Sequence, residues 1–294
     1  MNSVLKFFLY VLIILVVLVG GLYVAYRVFV GAVNVPMGDY ELDTGALAQR
    51  IELPDGFSMG LYGVVPNARL MRFTDAGDLL VAIPNENRIV LLERDADGDG
   101  KADGQRVLLN QLNSPNGMDF HDGYLYVAES DSIARVRFDH DNGRLDGEYT
   151  KIVTGLPAGG NHWKKTLRFG PDGMMYVTVG SSCNVCIEED ERRGTMLRYA
   201  PDGSGEEIYA RGLRNATGMD WAPFNGALYA TDNGRDLLGD NFPPCELNRI
   251  VEGGHYGWPY ANGDKIPDPD FGEGNEEIVE NSIAPVYEFP AHNT

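Results

Sequence analysis

The sequence predicts an all-β protein of the propeller class. Four segments share one pattern of apolar strand, polar turn with glycine and second strand: LMRFTDAGDLLVA, GMDFHDGYLYVA, TLRFGPDGMMYVT and GMDWAPFNGALYAT. Their aligned aromatic residues, Phe73, Phe120, Phe169 and Trp221, are 47, 49 and 52 residues apart. This period is typical of one four-stranded propeller blade. Helical periodicity is almost absent outside the N-terminal segment, and a β-sandwich is the alternative that the regular period disfavours.

Each repeat is predicted to begin with a hairpin, because its turn residues are Asp, Gly, Pro and Asn and its strands alternate large apolar and small residues. After Trp221, 73 residues follow without a fifth such hairpin. ANGDKIPDPDFGEGNEE (261–277) predicts a long loop, and APVYEF predicts the outer strand of a blade whose inner strands are missing. Either the ring closes with four blades or the sequence stops before the ring is complete. We expect the second. An unclosed ring would expose the edges of its sheets, which is a liability, so we expect the remaining blades to lie beyond Thr294.

The N-terminal segment predicts a transmembrane helix. Residues from Phe7 to Tyr26 are twenty consecutive positions without a charge, between Lys6 and Arg27, and about 20 apolar residues suffice to cross a bilayer. A cleaved signal peptide is the alternative, although its apolar core is usually only about 7–15 residues long. We therefore expect a membrane anchor over residues 1–36 and one propeller domain over residues 37–294.

The chain has a net charge of −19, which makes nucleic acid an unlikely partner. A single N-terminal anchor before an acidic body predicts a protein of the bacterial inner membrane whose body lies in the periplasm. In that oxidising compartment Cys183 and Cys186, as C-x-x-C, favour a local disulfide over a zinc site. We assign no role to Cys245.

The stretch DADGDGKAD predicts a calcium-binding loop. Asp95, Asp97 and Asp99 alternate before Gly100 and Asp103, which is the spacing that wraps oxygen ligands around Ca²⁺. Arg106 occupies the twelfth position, where an EF-hand has Glu, so the loop is not a complete EF-hand. A solvated acidic turn is the alternative, and either role is structural.

Basic residues gather near the start of the last two repeats. His162, Lys164 and Lys165 precede one repeat, and Arg214 with Asn215 occupies the matching offset before the next. Equivalent offsets in a propeller converge on one face near the axis, so these residues are candidates for one pocket. A neutral His accepts a proton at pH 7, and a guanidinium binds an anion. Solvated lysines beside a histidine of the strand are the alternative.

Several stretches together resemble the soluble, six-bladed glucose and sorbosone dehydrogenases, which use pyrroloquinoline quinone (PQQ). They are GGNHWKKTLRFGPDG, GSSCNVC, ARGLRNATGMDWAPFNGALYATDNGRD and ELNRIVEGGHYGWPYANG. The resemblance covers roughly residues 50–294, which would contain about four of the six blades. It implies a sugar dehydrogenase with PQQ and Ca²⁺ as cofactors.

The resemblance also implies roles for particular residues. His162 is similar in position to the base that takes the proton of the sugar C1 hydroxyl, while Arg214 and Asn215 match the pair that contacts the quinone. The backbone of Gly234 and Arg235 stands where the family holds its catalytic calcium. Glu246 and Tyr256 match a second, structural calcium site, beside which Cys245 replaces an acid.

Two departures from the family pattern affect these roles. Asn161 stands where glucose dehydrogenases have an acid that helps to orient the base, and Arg235 stands where the best-known members have proline. The family's further Lys and Arg ligands for the cofactor carboxylates would lie beyond Thr294. We expect a sugar as substrate, with the sugar's identity and the electron acceptor open. A calcium-dependent sugar lactonase and a non-catalytic binding propeller are the rival functions.

Overall fold

The computed structural model describes residues 51–291. The chain divides into two compact units at residues 59 and 60. Of the first unit, residues 51–59 contain one turn, in which the Phe57 amide donates to the Pro54 carbonyl (3.1 Å). The predicted span Phe7–Tyr26 and the predicted boundary at residue 36 lie outside the described residues. Within residues 51–291, no helix is long and apolar enough to cross a membrane.

The described part of the second unit is built almost entirely from β-strands. The strands are β1 (Met71–Phe73), β2 (Leu79–Ile83), β3 (Arg88–Glu93), β4 (Gly104–Leu109), β5 (Gly117–His121), β6 (Tyr124–Ala128), β7 (Ser132–Asp139), β8 (Arg144–Thr154), β9 (Leu167–Phe169), β10 (Met175–Val179), β11 (Thr195–Tyr199), β12 (Glu207–Arg211), β13 (Ala216–Trp221), β14 (Leu228–Asp232), β15 (Cys245–Ile250), β16 (Gly254–His255), β17 (Ala261–Asn262), β18 (Ile266–Pro267) and β19 (Tyr287–Phe289). A 3₁₀ turn spans Pro84–Glu86, and the single α-helix of these residues, α1, spans Glu276–Asn281.

Seventeen of the strands form four sheets of propeller type, as the repeat predicts, and all their pairings are antiparallel except that of β12 with β16. Their orders are β1-β2-β3-β4, β5-β6-β7-β8, β9 to β12 with β16 added at the outer edge, and β13-β14-β15-β19. The four aligned aromatic residues of the repeat all lie in the first strands, β1, β5, β9 and β13. The all-β class and a four-blade arrangement are therefore confirmed for the described residues.

The C-terminal stretch corrects one prediction. APVYEF does supply an outer strand, β19, but β19 pairs with β15, so that Leu247 lies opposite Tyr287. It completes the fourth blade, whose inner strands precede it, instead of starting a fifth. The segment between β15 and β19 is also more ordered than a long loop, since it contains the hairpin β17–β18 and helix α1.

The apolar core lies between neighbouring blades. Leu91 of the first blade and Met118 of the second belong to one cluster, and Ile133 of the second blade and Val177 of the third belong to the next. All four side chains are fully buried. Each side chain of this size contributes about 1.5–3 kcal/mol when it leaves water. Apolar side chains alternate along the strands, so they are buried between the facing sheets of adjacent blades. This burial holds the blades together.

A chain of ion pairs joins the four first strands. Asp119 accepts from Arg72 of the first blade (2.6 Å) and from Arg168 Nε of the third (3.2 Å). Arg168 in turn donates through both Nη atoms to Asp220 of the fourth blade (3.0 Å each). These residues each stand one position before the aromatic of the repeat. Arg and Asp alternate there, so each blade meets an opposite charge on its neighbour.

Candidate active site

The candidate site lies where the third and fourth blades meet. His162 precedes β9 and Ser181 follows β10, while Arg214 precedes β13 and Gly234 follows β14. In an antiparallel pair, the start of one strand and the end of the next lie at the same edge, so these segments share one rim. The Ser181 amide donates to the Arg214 carbonyl (2.8 Å), which joins the two blades at this rim.

His162 is held in one orientation by Ser181. The ring atom Nδ1 lies 2.7 Å from Ser181 Oγ, and the Ser181 hydroxyl donates its only hydrogen to the Cys183 carbonyl (2.8 Å). The hydroxyl oxygen must therefore accept from Nδ1–H, which leaves Nε2 as the unprotonated nitrogen. His162 is thus prepared to accept a proton at Nε2.

Glycine at position 180 is required for this arrangement. A Cβ atom there would lie 2.5 Å from the Cβ of His162 and 3.3 Å from Oδ1 of Asn215, and the first of these distances is a steric clash. The absence of a side chain at Gly180 lets the histidine and the asparagine approach each other across the blade boundary.

The surroundings keep His162 neutral. Burial lowers its pKa to about 4, and the positive charges of Arg214 and Lys164 act in the same direction, while Asp236 opposes them. Desolvation and like charges both disfavour the imidazolium. At pH 7 the ring is therefore an uncharged base, as its proposed role requires.

Arg214 is buried, and the protein itself satisfies all of its side-chain donors. Nε donates to the Asn184 carbonyl and Nη2 donates to Asn184 Oδ1, both over 2.8 Å. Nη2 also donates to Asp236 (3.1 Å), and Nη1 donates to the carbonyls of Asn233 (3.3 Å) and Gly234 (2.8 Å). A guanidinium has five N–H donors. Arg214 therefore joins two loops, and in this conformation it has no donor left for a ligand.

The backbone of Arg214 and Asn215 is fixed by Asp232, the last residue of β14. Its carboxylate accepts from the amides of Arg214 (2.8 Å) and Asn215 (2.5 Å). Burial raises the pKa of Asp232 to about 6, against the lowering effect of these two hydrogen bonds. This contact aligns the Arg-Asn pair at the rim.

The two lysines of NHWKK differ in position. Lys164 is partly buried, with Nζ 5.7 Å from the centre of the Trp163 ring, and burial lowers its pKa. Lys165 is fully buried, and its Nζ donates to the carbonyls of Pro157 (2.9 Å) and Trp163 (2.8 Å). In this structure the ammonium group of Lys165 therefore caps backbone carbonyls, and its role as a cofactor ligand stays a prediction.

The resemblance also makes Arg235 a candidate cofactor ligand, and the structure places its side chain against two acids. Its side chain is 6% exposed, and Nη1 contacts Asp268 (2.8 Å) and Asp270 (2.9 Å). The Asp268 side chain is only 1% exposed. The guanidinium therefore neutralises a buried acid outside the His162 rim, and only the backbone of Arg235 remains available for the predicted metal role.

The predicted second metal site contains a small polar cavity. The cavity has a volume of about 20 Å³ and is lined by Asp232, Gly234, Glu246 and Tyr256, among others. Burial and the nearby Asp232 charge raise the pKa of Glu246 to about 8. Glu246 accepts from Asn248 Nδ2 (2.9 Å) and from the Gly263 amide (2.9 Å), while the buried Asn248 Oδ1 has no hydrogen-bond partner. At pH 7 the Glu246 carboxyl is therefore largely protonated. Arg214 and Arg235 also line the cavity, so its carboxyl oxygens stand beside positive charges. The space is large enough for one ion or one water.

Tyr256 takes a structural position beside this cavity. Its hydroxyl accepts from the Val251 amide (2.8 Å) and donates to the Arg249 carbonyl (2.7 Å). The side chain thus closes the turn between β15 and β16. The metal role of Tyr256 stays a prediction.

The predicted calcium loop brings three acids together. Carboxylate oxygens of Asp95, Asp97 and Asp99 lie within 4.8 Å of one another, and Asp103 is not part of this group. Asp103 instead accepts from the Ala96 amide (3.1 Å). The Asp95 carboxylate accepts from the amides of Gly98, Asp99 and Gly100 at 2.7–3.1 Å, and these bonds lower its pKa. The loop is thus organised by its own backbone amides.

Three residues of the site were not predicted from the sequence. They are Ser181, which orients His162, and Asn184 and Asp236, which bind Arg214. Asn161, the residue compared with the orienting acid, is exposed. Ser181 and Asn184 follow β10 directly. A search for polar residues after the second strand of a repeat, as well as before the first, would have found them.

The Cys183–Cys186 disulfide is present, as predicted. The loop that it closes lies between the His162 side and the Arg214 side of the rim. Cys245 is buried at the start of β15 and is not part of this bridge.

The described residues thus combine four propeller-type sheets with a neutral histidine and a buried arginine on one rim. The chain belongs to the glucose / sorbosone dehydrogenase family, whose model matches residues 121–291. It is 31% identical over 198 residues to an uncharacterized protein of Borreliella burgdorferi, covering 63% of this chain and 52% of that protein. It is 26% identical over 215 residues to the aldose sugar dehydrogenase YliI of Escherichia coli, covering 63% and 55%. The chain thus spans about half the length of these curated relatives.

Solved structures share the fold. A family AA12 carbohydrate-active enzyme of Trichoderma reesei, in a calcium structure, matches with a TM-score of 0.71 and 19% identity, over 81% of this chain and 72% of that one. A PQQ-bound aldose sugar dehydrogenase of Streptomyces coelicolor matches with a TM-score of 0.57 and 24% identity, over 78% and 70%. At these identities the likeness concerns the fold alone.

Proposed function

We propose that this protein is a PQQ-dependent dehydrogenase that oxidises the C1 hydroxyl of an aldose or a related sugar. The observation that carries the proposal is the neutral His162, whose Nε2 is left unprotonated by the contact of Nδ1 with Ser181. Membership in the glucose / sorbosone dehydrogenase family supports the substrate class and the cofactor.

In this proposal His162 removes the proton of the sugar hydroxyl at Nε2. The positive charge that the ring gains is stabilised by the Nδ1–H···Oγ hydrogen bond to Ser181, whose hydroxyl is oriented by the Cys183 carbonyl. Oxidation of a C1 hydroxyl also removes a hydride from C1, and bound PQQ would supply the acceptor for it. A correctly placed general base contributes about 10²–10⁴-fold to such a rate.

The residues of the rim fit an anionic quinone in part. Lys164 and Asn215 are partly buried beside His162 and would hold carboxylate or carbonyl oxygens. Arg214 does not fit as it stands, because Asn184, Asp236 and two backbone carbonyls use all its donors. It would bind the cofactor only after giving up part of this network.

We also propose that Ca²⁺ binds at the Glu246 cavity. The hard oxygen donors there and the unpartnered Asn248 Oδ1 favour a small cation, which would take the place of the Glu246 proton. The Gly234 carbonyl accepts from Arg214, so a metal at Gly234 and Arg235 would require the guanidinium to move. For the Asp95 loop, Ca²⁺ binding remains a proposal.

The proposed setting is the periplasmic side of the bacterial inner membrane, with residues 1–36 as anchor. The Cys183–Cys186 disulfide supports an oxidising compartment. The electron acceptor would then be a membrane quinone or a cytochrome.

The function is tested by titrating the purified, calcium-loaded protein with PQQ and then adding an aldose, with the absorbance spectrum recorded at each step. We expect saturable binding and bleaching of the oxidised quinone on addition of sugar. Binding without bleaching by any of a panel of aldoses would contradict the dehydrogenase. Hydrolysis of a sugar lactone without PQQ would favour a lactonase, and no ligand response at all would favour a non-catalytic propeller.

The acid limb of the pH profile is a second test. Because burial, Arg214 and Lys164 lower the pKa of His162 to about 4 and Asp236 only partly opposes them, the base stays unprotonated well below pH 6.5. We expect kcat/KM to fall as the pH drops through about 4. A limb near the ordinary histidine value of about 6.5 would show that His162 is not held in this environment or is not the base.

A further inference from the structure

The disulfide loop of residues 183–186 contacts both halves of the candidate site. Its Asn184 offers the backbone carbonyl to Arg214 Nε and the side-chain Oδ1 to Arg214 Nη2. Asn184 also reaches the other loop at Arg214, since Oδ1 accepts from the Asp236 amide (2.8 Å) and Nδ2 donates to the Asp236 carbonyl (3.1 Å). One residue therefore ties the guanidinium and the loop after β14 to the bridge between Cys183 and Cys186.

The same loop also reaches His162. The Cys183 carbonyl accepts the Ser181 hydroxyl, and this contact makes Ser181 an acceptor for Nδ1–H. If the carbonyl turned away, the hydroxyl could donate to the ring, and the opposite tautomer would become available. The direction of a single carbonyl thus determines which nitrogen of His162 is unprotonated.

We propose that the Cys183–Cys186 disulfide is a positioning device, which acts through Asn184 on Arg214 and through the Cys183 carbonyl on His162. Asn184 and Ser181 are the positioning residues. Reduction of the bridge releases the guanidinium of Arg214 and makes the opposite tautomer of His162 available. The consequence for turnover rests on the proposed function, whereas the release of Arg214 does not.

The disulfide can position Arg214 because Asn184, inside the bridged loop, contacts the guanidinium twice. Its carbonyl and its side chain must point at the same guanidinium, which only a narrow range of backbone conformations allows. The covalent bridge restricts a four-residue loop to such a range, and opening the bridge widens it. Both sulfur residues are partly exposed, so a small dithiol has access to them.

The redox step is simple thiol–disulfide exchange. A dithiol such as dithiothreitol delivers two electrons and two protons, the S–S bond breaks, and two thiols and oxidised dithiothreitol result. Glu188 lies within 3.9 Å of both sulfur atoms, and Ser182 donates to its carboxylate through N–H (2.6 Å) and Oγ–H (2.7 Å). These contacts anchor the base of the loop when the bridge is open, so we expect a local release.

The test is the reaction of phenylglyoxal with arginine side chains in the ligand-free full chain, located by mass spectrometry before and after reduction. Arg235 is the matched internal control. Its side chain is 6% exposed and that of Arg214 is 5% exposed, and both are paired with acids. We expect reduction to raise the modification rate of Arg214 about tenfold, because the free energy of local opening falls by about the contribution of one hydrogen bond. Arg235 should stay protected.

Three variants make the test specific. Replacing both cysteines by serine should reproduce the effect without reductant. Asn184→Ala should raise Arg214 modification with the bridge intact, and Asn184→Asp, which keeps an acceptor oxygen, should restore protection.

Two outcomes overturn the proposal. One is continued protection of Arg214 when two free thiols have been measured. The other is equal modification of Arg214 and Arg235, which indicates general unfolding. Because the reaction needs neither PQQ nor sugar, a failure of the proposed function leaves this test intact.

Discussion

Replacing His162 with glutamine is expected to lower kcat for sugar oxidation about 10²–10⁴-fold, while the affinity for PQQ stays within a few-fold. Glutamine has a similar length and retains a donor for Ser181, but its amide has no basic nitrogen. The substitution therefore slows the proton-transfer step and leaves PQQ binding intact. The measurement is steady-state kinetics with an aldose, beside a PQQ titration of the same preparation.

His255→Gln is the matched control. His255 is also partly buried, and burial lowers its pKa, but its Nδ1 accepts from the Gly257 amide (3.1 Å) in the turn after β16, and the proposal gives it no part in proton transfer. This variant should keep turnover near that of the parent protein. Equal activity of His162→Gln and the parent would remove His162 from the mechanism, and an equal loss in both variants would indicate a structural effect.

Replacing Arg235 with methionine is expected to destabilise the fold by about 3–5 kcal/mol, because it leaves the buried Asp268 carboxylate without its positively charged partner. For a domain of this size each kcal/mol corresponds to about 2–4 °C in Tm. Thermal unfolding followed by circular dichroism would measure the change. PQQ affinity of the folded fraction should be unaffected, since the guanidinium points at Asp268 and Asp270.

Arg211→Met is the control for the loss of one arginine. Its side chain is 47% exposed, and its pair with Glu191 (3.2 Å) lies at the surface, where an ion pair is worth about 0–1 kcal/mol. Adding Asp268→Leu to Arg235→Met should recover part of the lost stability, because the unpaired charge disappears with it. An unchanged Tm combined with weaker PQQ binding would return Arg235 to a cofactor role.

The positions of the repeat were predictable because they follow from strand periodicity. Phe73, Phe120, Phe169 and Trp221 have equivalent places in the first strands of their blades, and the hairpin turns lie where Asp, Gly, Pro and Asn cluster. Placing His162 and Arg214 at one rim also needed only their offsets from these strands. The assignment of APVYEF failed, because β19 reaches its partner β15 across an intervening segment that contains the hairpin β17–β18 and helix α1.

The individual contacts were not predictable in the same way. Lys164 and Lys165 are neighbours, and in extended chain neighbours point to opposite sides, but their sequence does not say which one faces the interior. Arg214 and Arg235 each follow a similar pattern of turn residues, yet one joins two loops of the rim and the other pairs with an acid 33 residues away. Such choices depend on which acceptors the folded chain brings near, and they are settled by tertiary packing.

The sequence by itself therefore determined the strands, their repeat and the rim on which His162 and Arg214 meet, because local periodicity and turn chemistry specify these. The tertiary structure alone decided that Ser181 orients the histidine, that Asn184 holds the arginine and that Lys165 and Arg235 are buried supports. Hydrogen bonds between loops of different blades depend on distances that appear only when the blades are packed together.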